Sequence, residues 1–426
     1  MKKIVISEDT PLDPFNEPAR LLRVMNKPLW LYQRDVLSPY CQEEAEYPSL
    51  AEVEPTAGET IIYRDNLFFD EYLLDEFLRL ARSHGGPCQI AFSPNDPAIT
   101  THALPLQEGI RRNGDVYVAD LFYYPDGFSG QPAAPVVIDT KAQEMGYYHV
   151  PTYMAHEKGD LVYYVPKRAL LSVENWVHVF IANSPFGIFA HGARVEAELE
   201  KLRFRFKVLW KALVERKQFL SSSALVQVGQ NTQIDPAAVI QGPTIIGDNV
   251  TIGPGVVINA SVIGNRVNIM QGCQIMLSVV GDGCYLPFRA SLFMTTLMEN
   301  SMVAQNTCLQ MCVIGRDTFI GAGNTFTDFN LIKHPIRTMH RGRLEEVKQP
   351  VLGGCVGHNC RIGSGHILFP ARTIESDVVL LAKNGQSVIS KNVRYEDSDH
   401  HAFPKDLHFP QYRLNEVTDE VEKILS

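Results

Sequence analysis

The chain has 426 residues, 45% of them apolar, with a formal net charge of −9 and a pI near 5.8. This length is enough for two or three domains with sizeable cores. The acidic balance argues against general binding to nucleic acids or to anionic membranes. No uncharged apolar run approaches the ~20 residues needed to span a bilayer, and the first apolar run is too short for a signal peptide.

The eight cysteines form no CxxC pair, and among the nearest couples are Cys308 and Cys312. Small apolar cysteines fill protein interiors more often than they bind metals or carry out redox chemistry. We therefore expect a reduced, cytoplasmic protein without a nucleic-acid or membrane partner.

The first 190 residues combine strand-like and helix-like patterns. Asp70 is a predicted N-cap for a helix over Glu71–Arg82, in which Leu73, Leu74, Phe77 and Ala81 share one face. Helical spacing over Leu21–Leu37 is interrupted by Pro28, and Cys41–Thr60 shows no strong periodicity. Strands are predicted at Lys3–Ile6, Thr60–Tyr63, Gln89–Phe92, Val116–Tyr124, Val136–Ile138, Tyr147–Val150 and Leu161–Val165. This order predicts an α/β domain over residues 1–190.

A long helix is predicted over Glu196–Phe219, because Leu199, Leu202, Phe206, Leu209 and Leu213 form one stripe. We interpret residues 191–222 as a helix that connects two domains. At the other end of the chain, residues 396–426 are predicted to form an irregular loop and a short helix at Leu414–Leu425.

Between these segments, aliphatic residues recur at every sixth position, as at Val228, Ile234, Ile240, Ile246, Ile252 and Ile258. Six is neither a helical period nor simple strand alternation, and a hexapeptide repeat is typical of a parallel β-helix. Each hexad supplies a short strand with one inward aliphatic side chain, and stacked coils join these side chains into a column. The pattern predicts a β-helix over residues 223–395, with one large break at Phe326–Leu352.

An α/β domain, a connecting helix and a hexapeptide β-helix, in this order, resemble one family of bifunctional enzymes. These are the UDP-N-acetylglucosamine pyrophosphorylase/glucosamine-1-phosphate acetyltransferases, whose segment of the type IGDNVNIGAG is similar to Ile314–Gly323 here. The resemblance implies a truncated, Rossmann-like nucleotidyltransferase-like domain followed by a left-handed β-helix. It also implies a sugar-phosphate or nucleotide-sugar substrate, acetyl-CoA or another acyl-CoA, Mg²⁺ and a homotrimer.

The resemblance assigns two candidate residues in the N-terminal domain. Ala19–Leu29 is similar to the family segment that ends in Gly-Lys-Pro, which assigns Lys27 to substrate binding. Ile61–Asp65 is similar to the strand that ends in Gly-Asp, which assigns Asp65 to Mg²⁺, as expected for a carboxylate at a strand's C-terminal end. The family's phosphate-binding Gly-rich loop is replaced by Ser7–Asp13, whose carboxylates and prolines oppose phosphate binding.

In the β-helix, the family's catalytic His falls at Gln305, which has no titratable group, and its Asn-Tyr pair falls at Asp328-Phe329. The break at Phe326–Leu352 carries many polar groups, and projecting loops of this kind form sites in hexapeptide acyltransferases. We predict His334 as the base that deprotonates an acceptor amine or hydroxyl. The predicted substrate-binding residues of this loop are Asp328, Lys333, Arg337, His340 and Arg341.

Two alternatives remain open at this point. His334, His358 and His366 suggest a Zn²⁺ site of the γ-class carbonic anhydrase type, although their spacing differs from that pattern. The second alternative is a catalytically degenerate trimeric protein that retains both folds and serves in binding or as a scaffold. Gln305 and Ser7–Asp13 favour this interpretation.

Overall fold

The computed structural model describes residues 1–150, 159–332, 334–383, 385, 387–404 and 407–412. The chain divides into two compact units. The first unit contains Met1–Thr10 and Pro18–Phe186, and the second contains Pro11–Glu17 and the chain from Gly187 onward. The segment Pro11–Glu17 therefore belongs with the β-helix and not with the domain that surrounds it in sequence.

The first unit is built on a seven-stranded mixed sheet. Lys2–Ile6 pairs in parallel with both of its neighbours, whereas Val116–Tyr124 runs antiparallel to all three of its described partners. From one edge to the other the strands are Ala134–Ile138, Cys88–Phe92, Val116–Tyr124, Thr60–Arg64, Lys2–Ile6 and Glu43–Tyr47, and Arg111–Asn113 pairs with Val116–Tyr124. This arrangement confirms an α/β domain with a mixed sheet.

Three α-helices and several two-stranded ribbons accompany the sheet in the described part of the first unit. The helices are α1 (Leu29–Leu37), α2 (Glu71–His84) and α3 (Trp176–Asn183). The ribbons are Gln143–Val150 with Gly159–Val165, Leu67–Phe69 with Leu170–Ser172, and Arg23–Val24 with Lys27–Pro28. Asp70 caps α2 as predicted, since its carboxylate accepts a hydrogen bond of 2.8 Å from the Leu73 amide.

The structure defines two segments of this unit for which the sequence pattern is interrupted or weak. The helical pattern over Leu21–Leu37 yields a helix only from Leu29, because Pro28 opposes a helical conformation at the residue before it. The acidic segment Glu43–Tyr47 lacks strand periodicity, yet it pairs with Lys2–Ile6 at the sheet edge. Pairing at an exposed edge tolerates charged side chains that a buried strand would exclude.

The second unit is a parallel β-helix of eight coils, with one eight-stranded parallel sheet on each of its three faces. This confirms the hexapeptide left-handed β-helix. The first face contains Val226–Val228, Thr244–Ile246, Val262–Ile263, Val279–Val280, Thr296–Leu297, Val313–Ile314, Cys355–Val356 and Thr373–Ile374. The second contains Gln233–Ile234, Thr251–Ile252, Asn268–Ile269, Tyr285–Leu286, Met302–Val303, Phe319–Ile320, Arg361–Ile362 and Val379–Leu380. The third contains Val239–Gln241, Val257–Asn259, Gln274–Met276, Ser291–Phe293, Cys308–Gln310, Thr325–Phe326, Ile367–Leu368 and Val388–Ile389.

The inward side chains form one continuous apolar column from Ile240 onward, as the sixfold spacing predicts, whereas Val228 and Ile234 in the first coil are exposed. Ile246, Ile252 and Ile258 are all buried in it. Four cysteines also lie in this core, namely Cys273, Cys284, Cys312 and Cys360. The prediction that cysteines fill the coil interior is therefore correct for these four. All eight cysteines of the chain are free thiols.

The large break in the rhythm is an insertion between the third and the first face. Thr325–Phe326 is the last strand before it, and the coils resume at Cys355–Val356, which pairs with Val313–Ile314 of the preceding coil. Inside the insertion, Arg337–His340 and Arg343–Glu346 form an antiparallel hairpin. The coil stack therefore continues through the insertion without losing its register.

The predicted helix over Glu196–Phe219 is instead two helices, α4 (Ala190–Glu200) and α5 (Leu202–Glu215). The chain becomes extended at Lys201. Glu196, Glu198 and Glu200 crowd the last turns of α4, where negative side chains oppose the helix dipole. The predicted helix at Leu414–Leu425 lies outside the described residues, and within the part that is described no helix could cross a membrane.

Candidate functional site

A cavity of about 990 Å³ lies at the root of the insertion in the second unit. Its walls come from the insertion, from the last strand before it and from the next coil. Half of the lining residues are apolar, including Phe326, Phe329, Ile332, Ile336, Leu344 and Phe369. The predicted break therefore does create a concave surface that combines apolar side chains with polar ones, as a ligand site does.

Asp328 is the most unusual polar residue in this cavity. Its side chain is largely buried, with 8% of the residue exposed, and its Oδ2 has no hydrogen-bond partner among the described residues. Burial raises the pKa of the Asp328 carboxyl. The backbone is fixed in place, because the Leu352 amide donates a 2.8 Å hydrogen bond to the Asp328 carbonyl. An unpaired buried carboxyl is costly, so this residue favours either a proton or a ligand donor.

Arg372 lies in the cavity wall and was not predicted from the sequence. Its Nε donates to the Pro370 carbonyl at 3.2 Å, and one Nη donates to the Arg337 carbonyl at 2.5 Å. Burial lowers the pKa of this guanidinium, and no ion pair joins it to an acid in the described part of the chain. Together with the exposed side chain of Arg337, it gives the cavity two cations that can meet an anionic group.

His334 lies at the exposed rim of the same cavity. Its Nδ1 is 3.0 Å from the Asn330 amide nitrogen, which also donates to the His334 carbonyl at 3.1 Å. Nδ1 also lies 3.3 Å from the Pro335 carbonyl, so the neutral ring has its proton on Nε2 when the Asn330 amide donates to Nδ1 and on Nδ1 when the carbonyl accepts from it. Asn330 thus fixes the orientation of an imidazole that is within reach of bound molecules.

The other predicted residues of the loop are distributed differently. His340 is buried in the hairpin and Arg341 lies in its exposed turn, and neither lines the cavity. Lys333 lies outside the described residues. Gln305, at the position where the resemblance places the catalytic His, is exposed on the corner between the second and third faces and does not line the cavity.

In the first unit, Asp65 follows the strand Thr60–Arg64, as predicted, and is buried. One carboxylate oxygen accepts a 2.9 Å hydrogen bond from the Glu8 amide, and the other is 3.2 Å from an Arg20 Nη. Burial raises the pKa of Asp65 to about 7. Arg20 also pairs with Glu46 at 2.5 Å, so a guanidinium bridges the two acids.

These partners do not fit a divalent cation at Asp65, because Arg20 already supplies the positive charge. Within the described residues, no group of three or more His, Cys, Asp or Glu side chains could hold a metal ion. The Mg²⁺ and Zn²⁺ predictions therefore gain no support. Lys27, the other predicted residue of this unit, is half exposed and pairs with Asp35 at 2.6 Å.

A second polar cluster in the second unit joins the buried side chains of Glu17 and His358 to the partly buried Arg316. Arg316 binds the Glu17 carboxylate through two hydrogen bonds of 2.6 and 2.8 Å. The Arg316 amide donates to Nδ1 of His358, so the neutral ring has its proton on Nε2, which lies 3.0 Å from Glu17. Phe15 and Tyr412 pack against the same imidazole. The saturated hydrogen bonds of His358 give it a structural role.

Residues 226–260 match the family described as "Bacterial transferase hexapeptide (six repeats)". A comparison with curated proteins finds no match. Among solved structures, a Bacillus cereus protein described as a "putative acetyltransferase" is 16% identical to this chain. That match covers 40% of this chain and 86% of the other, with a TM-score of 0.18, and a likeness at this level carries no inference about function.

Proposed function

We propose that the second unit transfers an acyl group from acyl-CoA to a phosphorylated sugar or a nucleotide sugar, and that the cavity at the insertion is its active site. The observation that carries this proposal is Asp328, a buried acid in the wall of a large cavity, whose Oδ2 has no hydrogen-bond partner among the described residues. The hexapeptide family match at residues 226–260 supports a transferase of this fold class.

The reaction requires a group that takes a proton from the acceptor. The acceptor nitrogen or oxygen attacks the thioester carbonyl, the carbon–sulfur bond breaks, and coenzyme A leaves as a thiol. A base whose pKa is raised towards neutrality accepts a proton more readily than an ordinary carboxylate does. Burial raises the pKa of the Asp328 carboxyl in this way. Asp328 therefore takes the proton from the attacking amine or hydroxyl and passes it to the departing sulfur.

His334 is the second candidate for the same proton. It lies at the rim, where Asn330 orients it, whereas Asp328 lies deeper in the wall. Arg372 and Arg337 bind the anionic group of the substrate, since guanidinium groups pair well with phosphate. The apolar part of the lining excludes water from the thioester.

The test is release of free thiol from acetyl-CoA in the presence of a panel of amino-sugar phosphates. Asp328→Asn is expected to lower the rate by about 10²-fold or more, the scale of general-base catalysis. Glu346→Gln, on an exposed strand of the hairpin and outside the cavity lining, is the matched control. A larger loss in His334→Ala than in Asp328→Asn would assign the proton to His334, and no thiol release with any acceptor would contradict acyl transfer.

A non-catalytic binding or scaffold protein is the alternative, and one observation favours it. The resemblance assigns Asp65 of the first unit to metal binding, but its two carboxylate oxygens already accept hydrogen bonds from the Glu8 amide and from Arg20. A non-catalytic chain would bind a nucleotide sugar and gain thermal stability from it, but it would not convert it to a product. Incubation with nucleoside triphosphate, Mg²⁺ and sugar 1-phosphates tests the first unit separately, and pyrophosphate release that Asp65→Ala abolishes would show an active nucleotidyltransferase.

A further inference from the structure

Five large apolar side chains that line the cavity at the insertion are exposed. Their exposed fractions lie between 38% and 91%, and the side chains are Phe329, Leu331, Ile332, Leu344 and Phe369. Single exposed apolar side chains are normal on a protein surface, whereas a group of them around one concave surface marks a binding site. The same cavity holds Asp328 and Arg372, so the apolar surface adjoins the proposed reaction centre.

The five side chains come from two walls of the cavity. Phe369 is on the coil side, because it directly follows the strand Ile367–Leu368, which pairs with Thr325–Phe326 of the preceding coil. The other four are on the insertion side, where Leu344 lies in the hairpin strand Arg343–Glu346. A chain-like apolar group between the two walls would contact both of them.

The coil wall of the cavity is elongated. It includes an equivalent residue from each of four successive coils, namely Gln310, Thr327, Phe369 and Ser390. Their positions are equivalent because each directly follows a member of a series that pairs in register, Leu309, Phe326, Leu368 and Ile389. Neighbouring strands lie about 4.8 Å apart, so the three steps between these coils give a wall roughly 14 Å long. A wall of this length fits a linear group better than a compact one.

We infer that the acyl group of the donor is a linear chain longer than acetyl, and that this chain lies between the two walls. The inference rests on the proposed acyl transfer. An acetyl group brings a single methyl group to the site, so it would leave most of the exposed apolar side chains in contact with water. Each further methylene group that is buried strengthens binding about fourfold.

A second copy of the chain is a poorer occupant of this cavity. A protein segment between the two walls would close the route to Asp328 and Arg372, which the proposed reaction needs. A longer acyl chain enters with the thioester and leaves the balance of the reaction unchanged. The acceptor nitrogen or oxygen bonds to the thioester carbonyl carbon, the carbon–sulfur bond breaks, and the acceptor's proton passes to the departing sulfur.

The test compares two inert analogues of the donor, S-ethyl-coenzyme A and S-hexyl-coenzyme A, in which a thioether replaces the thioester. Isothermal titration calorimetry of the full chain gives the dissociation constant of each analogue. S-hexyl-coenzyme A is expected to bind at least about tenfold more tightly, because four additional methylene groups enter the apolar part of the cavity.

Phe369→Ser and Ile367→Ser form a matched pair of variants for this measurement. The two side chains are 43% and 40% exposed and flank Leu368, but only Phe369 lines the cavity. Because both side chains are exposed, both variants are expected to fold. Phe369→Ser is expected to reduce the preference for S-hexyl-coenzyme A by about threefold or more, since apolar contact with the chain is lost, whereas Ile367→Ser leaves the preference unchanged.

Equal affinities for the two analogues would overturn the inference, and so would a preference that the two variants change equally. Loss of a larger assembly in Phe369→Ser, seen by sedimentation with ligand affinities unchanged, would assign the apolar side chains to an interface between copies instead. Acyl transfer fails separately from the inference. A preference for S-hexyl-coenzyme A without thiol release from acetyl- or hexanoyl-coenzyme A would contradict acyl transfer alone, and failure of both analogues to bind would contradict both proposals.

Discussion

Glu17 and His358 are 341 residues apart in sequence, yet the Glu17 carboxylate lies 3.0 Å from Nε2 of the His358 ring. Arg316 completes the cluster by binding both oxygens of the same carboxylate. The Ser376 hydroxyl also donates to the carbonyls of Pro14 and Phe15 at 3.0 Å, which fixes the segment beside Glu17 on the coils. A short N-terminal segment is thus an integral part of the second unit.

Removing the Glu17 carboxylate should lower the free energy of unfolding substantially. Glu17→Ala would leave the buried His358 and the partly buried Arg316 without their shared acceptor, and breaking a buried pair in this way costs about 3–5 kcal/mol. The measurement is urea denaturation of the full chain. Glu346→Ala, which removes an exposed ion pair with Lys348, is the control and should cost less than about 1 kcal/mol. Similar effects of the two substitutions would contradict the role of the cluster.

The difference in stability between the unsubstituted chain and Glu17→Gln should depend on pH. Burial acts to raise the pKa of Glu17, but hydrogen bonds and charge from His358 and Arg316 outweigh it, so its pKa lies below the ordinary value of 4.5. The stabilisation is therefore present above about pH 4.5 and is lost as the pH falls through the folded-state pKa. Denaturation midpoints of both proteins between pH 7 and pH 3 test this, and a difference that grows towards acid would be inconsistent with it.

Asp328→Asn should leave stability unchanged at pH 7 or raise it by about 1 kcal/mol, the scale of one unsatisfied buried polar group. The folded-state pKa of this acid is raised by burial, so its ionised form destabilises the fold above its ordinary pKa of 3.8. The amide in the Asp328→Asn variant carries no charge. The difference in stability between this variant and the unsubstituted chain should therefore disappear at acidic pH, where Asp328 is protonated. A clear loss of stability at pH 7 would show that the carboxylate is satisfied in the folded protein.

The apolar column predicts unequal losses of stability for the same substitution in different hexads. Ile258 is fully buried in the core, whereas Ile234 in the first coil is 36% exposed. Ile258→Ala should therefore cost about 2–5 kcal/mol, and Ile234→Ala substantially less. Thermal denaturation of both variants checks this, and equal losses would argue against a column that is buried to different depths along the coils.

Mg²⁺ should leave the melting temperature of the protein unchanged, because the Arg20 guanidinium already compensates the Asp65 carboxylate. Scanning calorimetry with Mg²⁺ and with EDTA is a direct comparison. A rise with Mg²⁺ that Arg20→Ala enhances and Asp65→Asn abolishes would place a metal at this carboxylate.

The repeat made the second unit predictable from sequence to a degree that the first unit was not. Each hexad specifies its own strand and inward side chain, so Ile246, Ile252 and Ile258 could be assigned to the core from spacing alone. The same counting located the insertion and, within it, Asp328. By contrast, Glu43–Tyr47 forms a strand because Lys2–Ile6 pairs with it, a relationship that local pattern does not contain.

The less predictable parts of the site depend on contacts across coils. Arg372 lies in the cavity wall because its coil stacks beside the insertion, and nothing in its local sequence distinguishes it from a solvated arginine. Glu17 lies within residues 1–190, which the sequence assigns to the first domain, yet its partners are 299 and 341 residues away. The helix break at Lys201 could have been suspected from the three nearby glutamates, but the apolar stripe continues across it.

The measurement that tests the central proposal most directly is detection of the acylated product itself. The full chain and its Asp328→Asn variant are incubated with acetyl-CoA and each amino-sugar phosphate, and the acceptors are analysed by mass spectrometry. We predict one added acetyl group on one acceptor with the unsubstituted chain, and strongly reduced product with Asp328→Asn. Acetylation at equal rates by both proteins, or of no acceptor by either, would contradict acyl transfer at this cavity.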